Sequence, residues 1–368
     1  MPEIQEQSNG GRLLSLDFYR GLTMFLLIAE FSHLFSLFVL PQFEGTFIHA
    51  VGSQFHHVHW EGLHFWDLIQ PFFMFIVGVA MPLSFSKRMA KGDSFKQLSK
   101  HAIKRALLML LLGWGLYCID PGEIVFRFQN VLAQLGVTYI LAFLVIRKPV
   151  AVQIGFSILL LLITEGLYRF FPVEGFTNAF VDGENFPSWF NMLISGEESG
   201  AGWAMFNAIP TAAHTIWGVL AGQLLIGDFS AKKKLQILVA AGIIGLIIGF
   251  GLSPFTPIIK KIATTTFVFA SGGWSIIALA LCYWLIDIKK YQKGVWFFAV
   301  VGMNPLFIYL FAHIGGANLI KKIFLPFSNA LFGWTGEIGA QIILSCIVLF
   351  MLWYICYWMY KKKIFIRI

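Results

Sequence analysis

The sequence predicts an all-α polytopic membrane protein, a bundle of about ten transmembrane helices. Of its 368 residues, 58% are hydrophobic and only 12% are charged. Apolar runs of about 20 residues, the length that crosses a bilayer as a helix, recur along the whole chain. Because lipid offers the backbone no hydrogen bonds and these runs are too long for barrel strands, we expect helices. The predicted spans are 17–40, 67–86, 103–119, 130–146, 150–168, 207–226, 235–252, 267–286, 295–314 and 338–360.

The distribution of lysine and arginine predicts the orientation of these helices. Of the 27 basic residues, 21 fall on one side of the predicted bundle, which the positive-inside rule makes cytoplasmic. Both termini, including the segment 1–16, are then cytoplasmic, and one transmembrane domain covers residues 1–368. Lysines beside anionic lipid explain the net charge of +8, so the lipid bilayer is a partner and nucleic acid is not. The six basic residues on the outer side are Arg127, Arg169, Lys260, Lys261, Lys321 and Lys322.

The longest outer loop, 169–206, is rich in aromatic residues and glycine. A disordered linker would contain few aromatic residues. We therefore expect this loop to be a structured lid that packs on the bundle.

Five of the nine histidines lie between His49 and His64, at the junction of the first two predicted spans. Ionisable groups beside hydrocarbon are costly to desolvate, so they tend to pair, to line water or to perform chemistry. Histidine also exchanges protons near neutral pH. This junction is the first candidate active site. At its end, Asp67 fits a helix cap as well as a catalytic carboxylate, while Trp60 also fits an interfacial aromatic belt.

A metal is not expected at this junction. The spacing of His57, His59 and His64 matches no strong zinc pattern, and no cysteine is near. The cysteines of the chain lie in or beside apolar spans, which predicts small core residues. They are Cys118, Cys282, Cys346 and Cys356.

Two of the charged residues in the first predicted span, 17–40, are functional candidates. Glu30 is near its outer end, and a glutamate within a membrane span is a functional candidate by default. It can pair with a histidine of the junction and raise the basicity of that imidazole, or it can make a structural hydrogen bond between helices. Arg20 either extends to the interface from the helix start or faces an anionic cofactor from the cytosolic side.

Polar residues in later spans predict a polar-lined path through the bundle. Asn130 and Gln134 lie one turn apart at the start of the fourth span. In the ninth span Asn304 precedes Pro305, which breaks a helix and frees backbone carbonyls, and Tyr309 follows. By residue chemistry alone these groups do not separate a transporter from an enzyme.

In this order, the motifs resemble the heparan-α-glucosaminide N-acetyltransferase family of membrane acetyltransferases, over nearly the whole chain. Each motif is weak alone, but five in order at matching span positions are fairly specific. They are SLDFYRG at 15–21, HVHWEGL at 57–63 with Asp67 and PFFMFIVG at 71–78, LGVTY at 135–139, GMN at 302–304 with Tyr309, and KKIF at 362–365.

The resemblance implies that acetyl-CoA from the cytosol supplies an acetyl group to an amino sugar, such as a terminal glucosamine of heparan sulfate, on the far side. It places His57 at the proposed catalytic position. The sequence departs from the family at two points: Glu30 or Phe31 stands where an asparagine is frequent, and Gln134 stands where an arginine is usual. The large lumenal domain of the animal enzymes has no counterpart, which implies a form from a bacterial inner membrane.

The expected roles follow from the resemblance and from the chemistry of acyl transfer. His57 is the base that deprotonates the amine or the carrier of the acetyl group, with Glu30, Asp67 and Asn304 completing the catalytic set. Asn304, Tyr309 or a second histidine would donate to the oxyanion. Contacts with CoA are expected from Arg20, Lys87, Arg88, Arg105, Gln134 and Tyr139. Contacts with the acceptor are expected from His59, Trp60, Glu61 and Tyr309.

Three functions stay open: the transmembrane acetyltransferase, an amino-sugar permease, and an acyltransferase that modifies another surface glycan or lipid. An obvious internal inverted repeat, which would favour the permease, is not visible in the sequence. Glycine-rich faces allow close helix packing within the chain or in a homodimer. These glycines are Gly242, Gly245, Gly249 and Gly251.

Overall fold

The structure, a computed structural model, describes residues 13–197 and 200–366, and this part of the chain is built from helices. Its only β-type pairing is an isolated bridge between Glu61 and Ile259. Most of the expected N-terminal segment 1–16, and the basic residues Arg12 and Arg367, lie outside the described residues.

The helices are joined by short 3-10 and π-helical turns. In chain order they are α1 (Leu14–Glu30), α2 (Phe47–Gln54), α3 (Ile69–Ala90), α4 (Phe95–Ile119), α5 (Val131–Val145), α6 (Val150–Phe170), α7 (Phe186–Ser195), α8 (Ala208–Ile226), α9 (Ala231–Gly251), α10 (Thr265–Cys282), α11 (Val295–Val301), α12 (Pro305–Phe311), α13 (Ala317–Phe332) and α14 (Gly336–Lys361).

Seven helical segments in the described ranges are long and apolar enough to cross a membrane. They are Phe65–Ala90, Phe95–Ile119, Val150–Phe170, Ala208–Ile226, Ala231–Gly251, Thr265–Ile288 and Pro305–Lys361. The all-α membrane-type fold is therefore confirmed, whereas the count of ten spans is not. Helices α1 and α5, with 17 and 15 residues, fall short of a full span by themselves.

The first predicted span, 17–40, is α-helical only in its first part, because α1 ends at Glu30 and the chain continues as a short 3-10 helix, Phe35–Val39. Ser32 donates from its Oγ atom to the carbonyl of Ala29 at 2.6 Å, which satisfies a carbonyl at the helix end. His33 then adopts a φ of 57°, a left-handed conformation that stops a helix. Glu30 is therefore the last residue of α1, and its side chain is exposed.

The ninth predicted span, 295–314, is divided into α11 and α12. Pro305 begins α12, where its missing N–H costs nothing. The sequence did not predict α13, whose apolar residues lie along one side. The predicted break at 304–305 is present in the structure.

Glycines let the central helices approach each other closely. A Cβ atom at Gly78 of α3 would overlap the carbonyl of Thr215, and one at Gly218 of α8 would overlap the carbonyl of Phe75. The same holds for Gly21 of α1 and the backbone of α11. Backbone contacts thus join α3 to α8 and α1 to α11. Among the seven long apolar segments, those that contain α3, α8 and α10 are the most buried.

Three of the four glycines predicted to be packing positions contact another helix of the same chain. Gly242, Gly245 and Gly249 of α9 face α10, where an added Cβ would meet Ile277, Gly273 and Ala270. No atom lies within 4 Å of a Cβ added at Gly251. Gly242, Gly245 and Gly249 are therefore used for packing within one protomer.

Candidate active site

A cavity of about 590 Å³ lies beside the histidine junction, where α1 and α4 end and α5 begins. We call it the histidine cavity. Charged and polar side chains line it together with aromatic rings. Its polar lining consists of Glu30, His33, Ser36, His56, His57, Gln70, Tyr117, Gln129, Asn130, Lys260, Tyr309 and His313, with Trp66 and Trp203.

His57 and Asp67 form a hydrogen-bonded pair in this cavity. Asp67 lies in the 3-10 turn Phe65–Leu68 that leads into α3, and its side chain is 1% exposed. Its Oδ1 atom lies 2.8 Å from Nδ1 of His57, and its Oδ2 atom accepts from the backbone N–H of His64 at 2.9 Å and of Val58 at 3.4 Å. These donors hold the carboxylate in one orientation.

This pair determines which nitrogen of His57 carries the proton. A carboxylate only accepts hydrogen bonds, so Nδ1 must donate to Asp67. In the neutral ring the lone pair is then on Nε2. The His57 side chain is 33% exposed, so it is open to the histidine cavity. The arrangement is that of a base whose orientation is fixed by a buried carboxylate.

Lys260 brings a cation to the same pair. It belongs to the loop between α9 and α10, and only 6% of its surface is exposed. Its Nζ atom lies 3.1 Å from Nδ1 of His57 and 3.6 Å from Oδ1 of Asp67. The loop is held against the histidine junction because Gly62 donates its N–H to the carbonyl of Ile258 at 2.8 Å.

Burial and mutual charge shift the pKa values of both cations. Burial lowers the pKa of His57 below its usual 6.5 and Lys260 lowers it further, while Asp67 and Glu30 act in the opposite direction. Burial lowers the pKa of Lys260 from 10.5 to about 8 against the attraction of Asp67 and Glu30. At pH 7 the imidazole is therefore mainly neutral and the ammonium mainly charged.

The expected lid, 169–206, reaches the site through Trp203. The Trp203 ring lies 5.4 Å from the His57 ring, and the Nζ atom of Lys260 lies 5.4 Å from the Trp203 ring centroid. Asn191 of α7 fixes this part of the loop, because its Nδ2 donates to the carbonyl of Trp203 at 2.8 Å and its Oδ1 accepts from the N–H of Met205 at 2.9 Å. Trp203 therefore covers one side of the His57 pair.

Glu30 and Tyr309 face the cavity from α1 and α12. Glu30 is exposed and lines the cavity. Its carbonyl accepts from the backbone N–H of His33 at 3.0 Å, whereas its carboxylate makes no hydrogen bond to a histidine ring in the described ranges. The Tyr309 ring lies 4.1 Å from the His313 ring, and Nδ1 of His313 contacts the Tyr309 carbonyl at 3.2 Å. Both Glu30 and Tyr309 therefore share a cavity with His57, as expected for residues of one site.

Gln134 supports the cavity wall from behind. It is 1% exposed, accepts a hydrogen bond from the amide of Gln70, and donates to the carbonyl of Gln129 at 3.0 Å. Gln70 and Gln129 line the cavity. Gln134 thus contacts two residues of the histidine cavity, although the resemblance implied a contact with CoA.

The other residues expected to bind CoA lie away from the histidine cavity. Arg20 is paired with Asp17 at 2.6 Å and Arg88 with Asp93 at 2.6 Å, and Lys87 is exposed. None of these cations is among the residues that line the histidine cavity.

Arg105 and Tyr139 lie between the two ends of the bundle. Arg105 lies 5.2 Å above the Tyr139 ring, and its buried Nε atom has no hydrogen-bond partner in the described part of the chain. Arg105 precedes Ile119, the last residue of α4, by 14 residues, which corresponds to about 21 Å of helix. Arg105 therefore lies within α4, away from both ends of the helix, and its Nε–H is available to a ligand.

Asn304 is not in the cavity. It is completely buried, and its side chain donates to the carbonyl of Ile364 at 2.9 Å and accepts from the N–H of Ile366 at 2.9 Å. Both halves of the amide are thus used to hold the C-terminal segment. The structure gives Asn304 a structural position instead of an oxyanion contact.

The three expected acceptor residues of the HVHWEGL motif lie outside the cavity lining. Trp60 donates from Nε1 to the carbonyl of Phe180 in the lid at 2.7 Å, and the Nζ atom of Lys261 lies 5.9 Å from its ring centroid. His59 and Glu61 are exposed. They lie on the outer surface of the junction, beside the lid.

Lys260 and Trp203 were not identified from the sequence, and the signal for Lys260 was present. It is one of six basic residues on the side that the positive-inside rule leaves poor in cations. A lysine pair in that position requires a local reason, and the Asp67 carboxylate provides it.

Known proteins share this sequence pattern. The family model described as heparan-alpha-glucosaminide N-acetyltransferase, catalytic, matches residues 12–253. The human heparan-alpha-glucosaminide N-acetyltransferase is 26% identical over 426 aligned residues, which cover 97% of this chain and 60% of the human protein. The mouse protein of the same name is 24% identical, with 100% of this chain and 62% of the mouse protein covered. The chain thus spans about three fifths of the length of these relatives.

Proposed function

Because this chain belongs to the heparan-α-glucosaminide N-acetyltransferase family, we propose that it transfers the acetyl group of acetyl-CoA to the amine of a glucosamine-type sugar. The acetyl-CoA is cytosolic, the sugar is on the periplasmic side of a bacterial inner membrane, and His57 is the catalytic residue. The observation that carries the proposal is the His57–Asp67 pair, which leaves Nε2 as the basic atom of a ring exposed to a cavity of about 590 Å³.

The chemistry requires one group that accepts a proton and one site that binds the amine. In direct transfer, Nε2 of His57 takes the proton of the attacking amine, the C–S bond of the thioester breaks, and the proton passes to the departing thiolate. In the two-step form, Nε2 attacks the thioester carbonyl, the C–S bond breaks and CoA leaves as the thiolate. The amine then attacks the acetylimidazolium, the N–C bond to Nε2 breaks, and the proton of the amine passes to the thiolate. Glu30 supplies a carboxylate to attract the sugar ammonium, and Tyr309 supplies a hydroxyl donor in the same cavity.

The position of Arg105 fits the reach of the donor. The pantetheine arm of CoA is about 15–20 Å long when extended, by chain reach of similar atoms. Arg105 lies about 21 Å along α4 from the cavity end of that helix. An anionic group of CoA held at the free Nε of Arg105 would let the thioester approach His57. Tyr139, stacked on the same guanidinium, would fix its direction.

The first experiment measures transfer with purified protein in detergent, radiolabelled acetyl-CoA and glucosamine. Wild type should form labelled N-acetylglucosamine, and His57→Ala should form none. His49→Ala, a histidine of the same junction that does not line the cavity, is the matched control and should keep full activity. Equal product from wild type and His57→Ala would contradict the proposal.

A second candidate is an acyltransferase acting on a lipid-linked acceptor, because the structure contains a second, apolar groove of about 760 Å³. Phe18 and Leu22 of α1, Trp274 of α10 and Phe72 of α3 line it, and it reaches His64 at the junction. A hydrocarbon chain fits such a lining. Faster transfer to an alkyl glucosaminide than to free glucosamine would favour this candidate.

A further inference from the structure

Lys260 is the charged group that nothing in the expected reaction uses. Its ammonium group is enclosed with the His57–Asp67 pair beneath Trp203, and it is 6% exposed. Burying a lysine ammonium costs free energy unless the charge is paired with an opposite charge or with hydrogen-bond acceptors. Its neighbour Lys261, equally buried at 7%, points instead to the ring of Trp60.

We propose that Lys260 is a positioning residue whose ammonium group keeps the imidazole of His57 uncharged, while Asp67 fixes which ring nitrogen carries the proton. The inference rests on the proposed function, in which neutral His57 is the base or the acetyl carrier. It assigns opposite tasks to the two charged neighbours of one imidazole.

The distances carry this assignment. Asp67 is the nearer partner of Nδ1, at 2.8 Å, so Nδ1 carries the proton and donates it to the carboxylate. The Nζ atom of Lys260 lies 3.1 Å from the same nitrogen and cannot also donate to it, and its carboxylate neighbour is the Oδ1 atom of Asp67 at 3.6 Å. A second proton on the imidazole would place two cations about 3 Å apart, which costs free energy in a partly desolvated site.

The other groups that face His57 do not replace this effect. Glu30, at the end of α1, acts with Asp67 in favour of a charged imidazole. The remaining titratable side chains of the cavity are His33, His56, His313, Tyr117 and Tyr309. Lys260 is therefore the one lysine or arginine among the residues that line the histidine cavity. Its charge disfavours protonation of His57, whereas the carboxylates of Asp67 and Glu30 favour it.

The consequence for the reaction is the same in both forms of the mechanism. Protonated His57 can neither accept the proton of the amine nor attack a thioester. If the imidazole carries the acetyl group, a nearby cation also destabilises the acetylimidazolium and favours transfer to the amine. Lys260 takes part in no bond that forms or breaks.

The test measures the titration of His57 directly. Diethyl pyrocarbonate modifies neutral imidazole, so the extent of His57 modification against pH, read by peptide mass spectrometry, gives its midpoint without any need for activity. The full chain in detergent is compared as wild type, Lys260→Met and Lys260→Arg. Lys261→Met is the matched control, because it removes a buried lysine from the same loop whose Nζ lies on the Trp60 ring.

Lys260→Met should raise the midpoint by about one pH unit, the shift expected when a neighbouring charge is removed at this distance. Lys260→Arg and Lys261→Met should keep the wild-type midpoint. An unchanged midpoint in Lys260→Met, or an equal shift in Lys261→Met, would overturn the inference. Lys260→Gln serves if the methionine variant does not fold.

The outcome is separable from the proposed function. A shifted midpoint in a protein that transfers no acetyl group would support the role of Lys260 and reject the acetyltransferase. Transfer that depends on His57, together with an unshifted midpoint, would support the enzyme and reject the role of Lys260.

Discussion

The Nδ1 atom of His57 lies 2.8 Å from the Oδ1 atom of Asp67, and ten residues of chain separate the two. The chain between them folds back because Asp67 also accepts the backbone N–H groups of His64 and Val58. One carboxylate thus closes the loop and orients the imidazole. The sequence offered Asp67 as a helix cap or as a catalytic carboxylate. In the structure Asp67 accepts the N–H of His64 at the start of the 3-10 turn and also contacts His57, the proposed catalytic residue.

Asp67→Asn should lower the rate of acetyl transfer by about 100-fold or more, the usual contribution of a general base. An amide in place of the carboxylate can donate to Nδ1, which moves the ring proton to Nε2 and removes the base. The measurement is the initial rate at saturating acetyl-CoA. Glu197→Gln, which breaks only an exposed ion pair with Arg127, is the control. A rate within a few-fold of wild type in Asp67→Asn would contradict this role.

The pKa of Lys260 predicts that stability depends on pH at alkaline values. Its pKa of about 8 in the folded protein is below the ordinary 10.5, so between these values the unfolded chain binds more protons. Stability should therefore rise with pH from about 8 to 10.5, with an upper limit of about 3 kcal/mol. Thermal unfolding in detergent should show a rising Tm in wild type and a smaller rise in Lys260→Met. If Tm rises with pH equally in wild type and Lys260→Met, the ammonium group of Lys260 does not have the lowered pKa.

Trp203→Ala should open the His57 pair to water. The ring lies beside both His57 and Lys260. Its loss should therefore admit water and increase the hydrolysis of acetyl-CoA relative to transfer. Free CoA and N-acetylglucosamine are measured together. Trp203→Phe keeps an aromatic face, so most of the acetyl-CoA consumed should still appear as N-acetylglucosamine. If Trp203→Ala leaves the ratio of free CoA to N-acetylglucosamine unchanged, the lid does not exclude water from the site.

Asn304→Ala should affect stability without removing catalysis. The variant leaves the carbonyl of Ile364 and the N–H of Ile366 without their partner, at a cost of about 1–3 kcal/mol. Trypsin should cleave the C-terminal lysines faster, and the folded fraction should keep its transfer rate. Loss of transfer with an intact C-terminal segment would restore the catalytic role expected from the sequence.

Gly78→Ala should prevent accumulation of folded protein, because the added Cβ overlaps the carbonyl of Thr215 where α3 crosses α8. Gly155→Ala on α6 is the control, since no atom lies within 4 Å of its added Cβ. Size-exclusion profiles of the purified variants decide the result. A monodisperse Gly78→Ala protein with wild-type Tm would show that the two helices can separate.

The sequence predicted the fold class and the centre of the candidate site because both depend on neighbouring residues. Apolar runs are local, and His57 and Asp67 belong to one short segment. Lys260 follows His57 by 203 residues, and nothing local shows that its loop returns to the junction. Trp203 was missed for the same reason.

Asn304 illustrates a different source of error. A helix break beside a proline predicts the lining of a cavity, because freed carbonyls in a membrane need partners. The structure contains the break, but the buried amide binds the backbone of the C-terminal segment. A polar residue at a break needs a partner, and the sequence does not say whether that partner is a substrate or another part of the chain.

The most direct test of the central claim uses wild-type protein in sealed liposomes, with acetyl-CoA on one face and glucosamine on the other. We expect N-acetylglucosamine on the glucosamine side only, formed in proportion to the acetyl-CoA consumed, and none with His57→Ala. Glucosamine that crosses unmodified without acetyl-CoA would contradict the account and establish a permease.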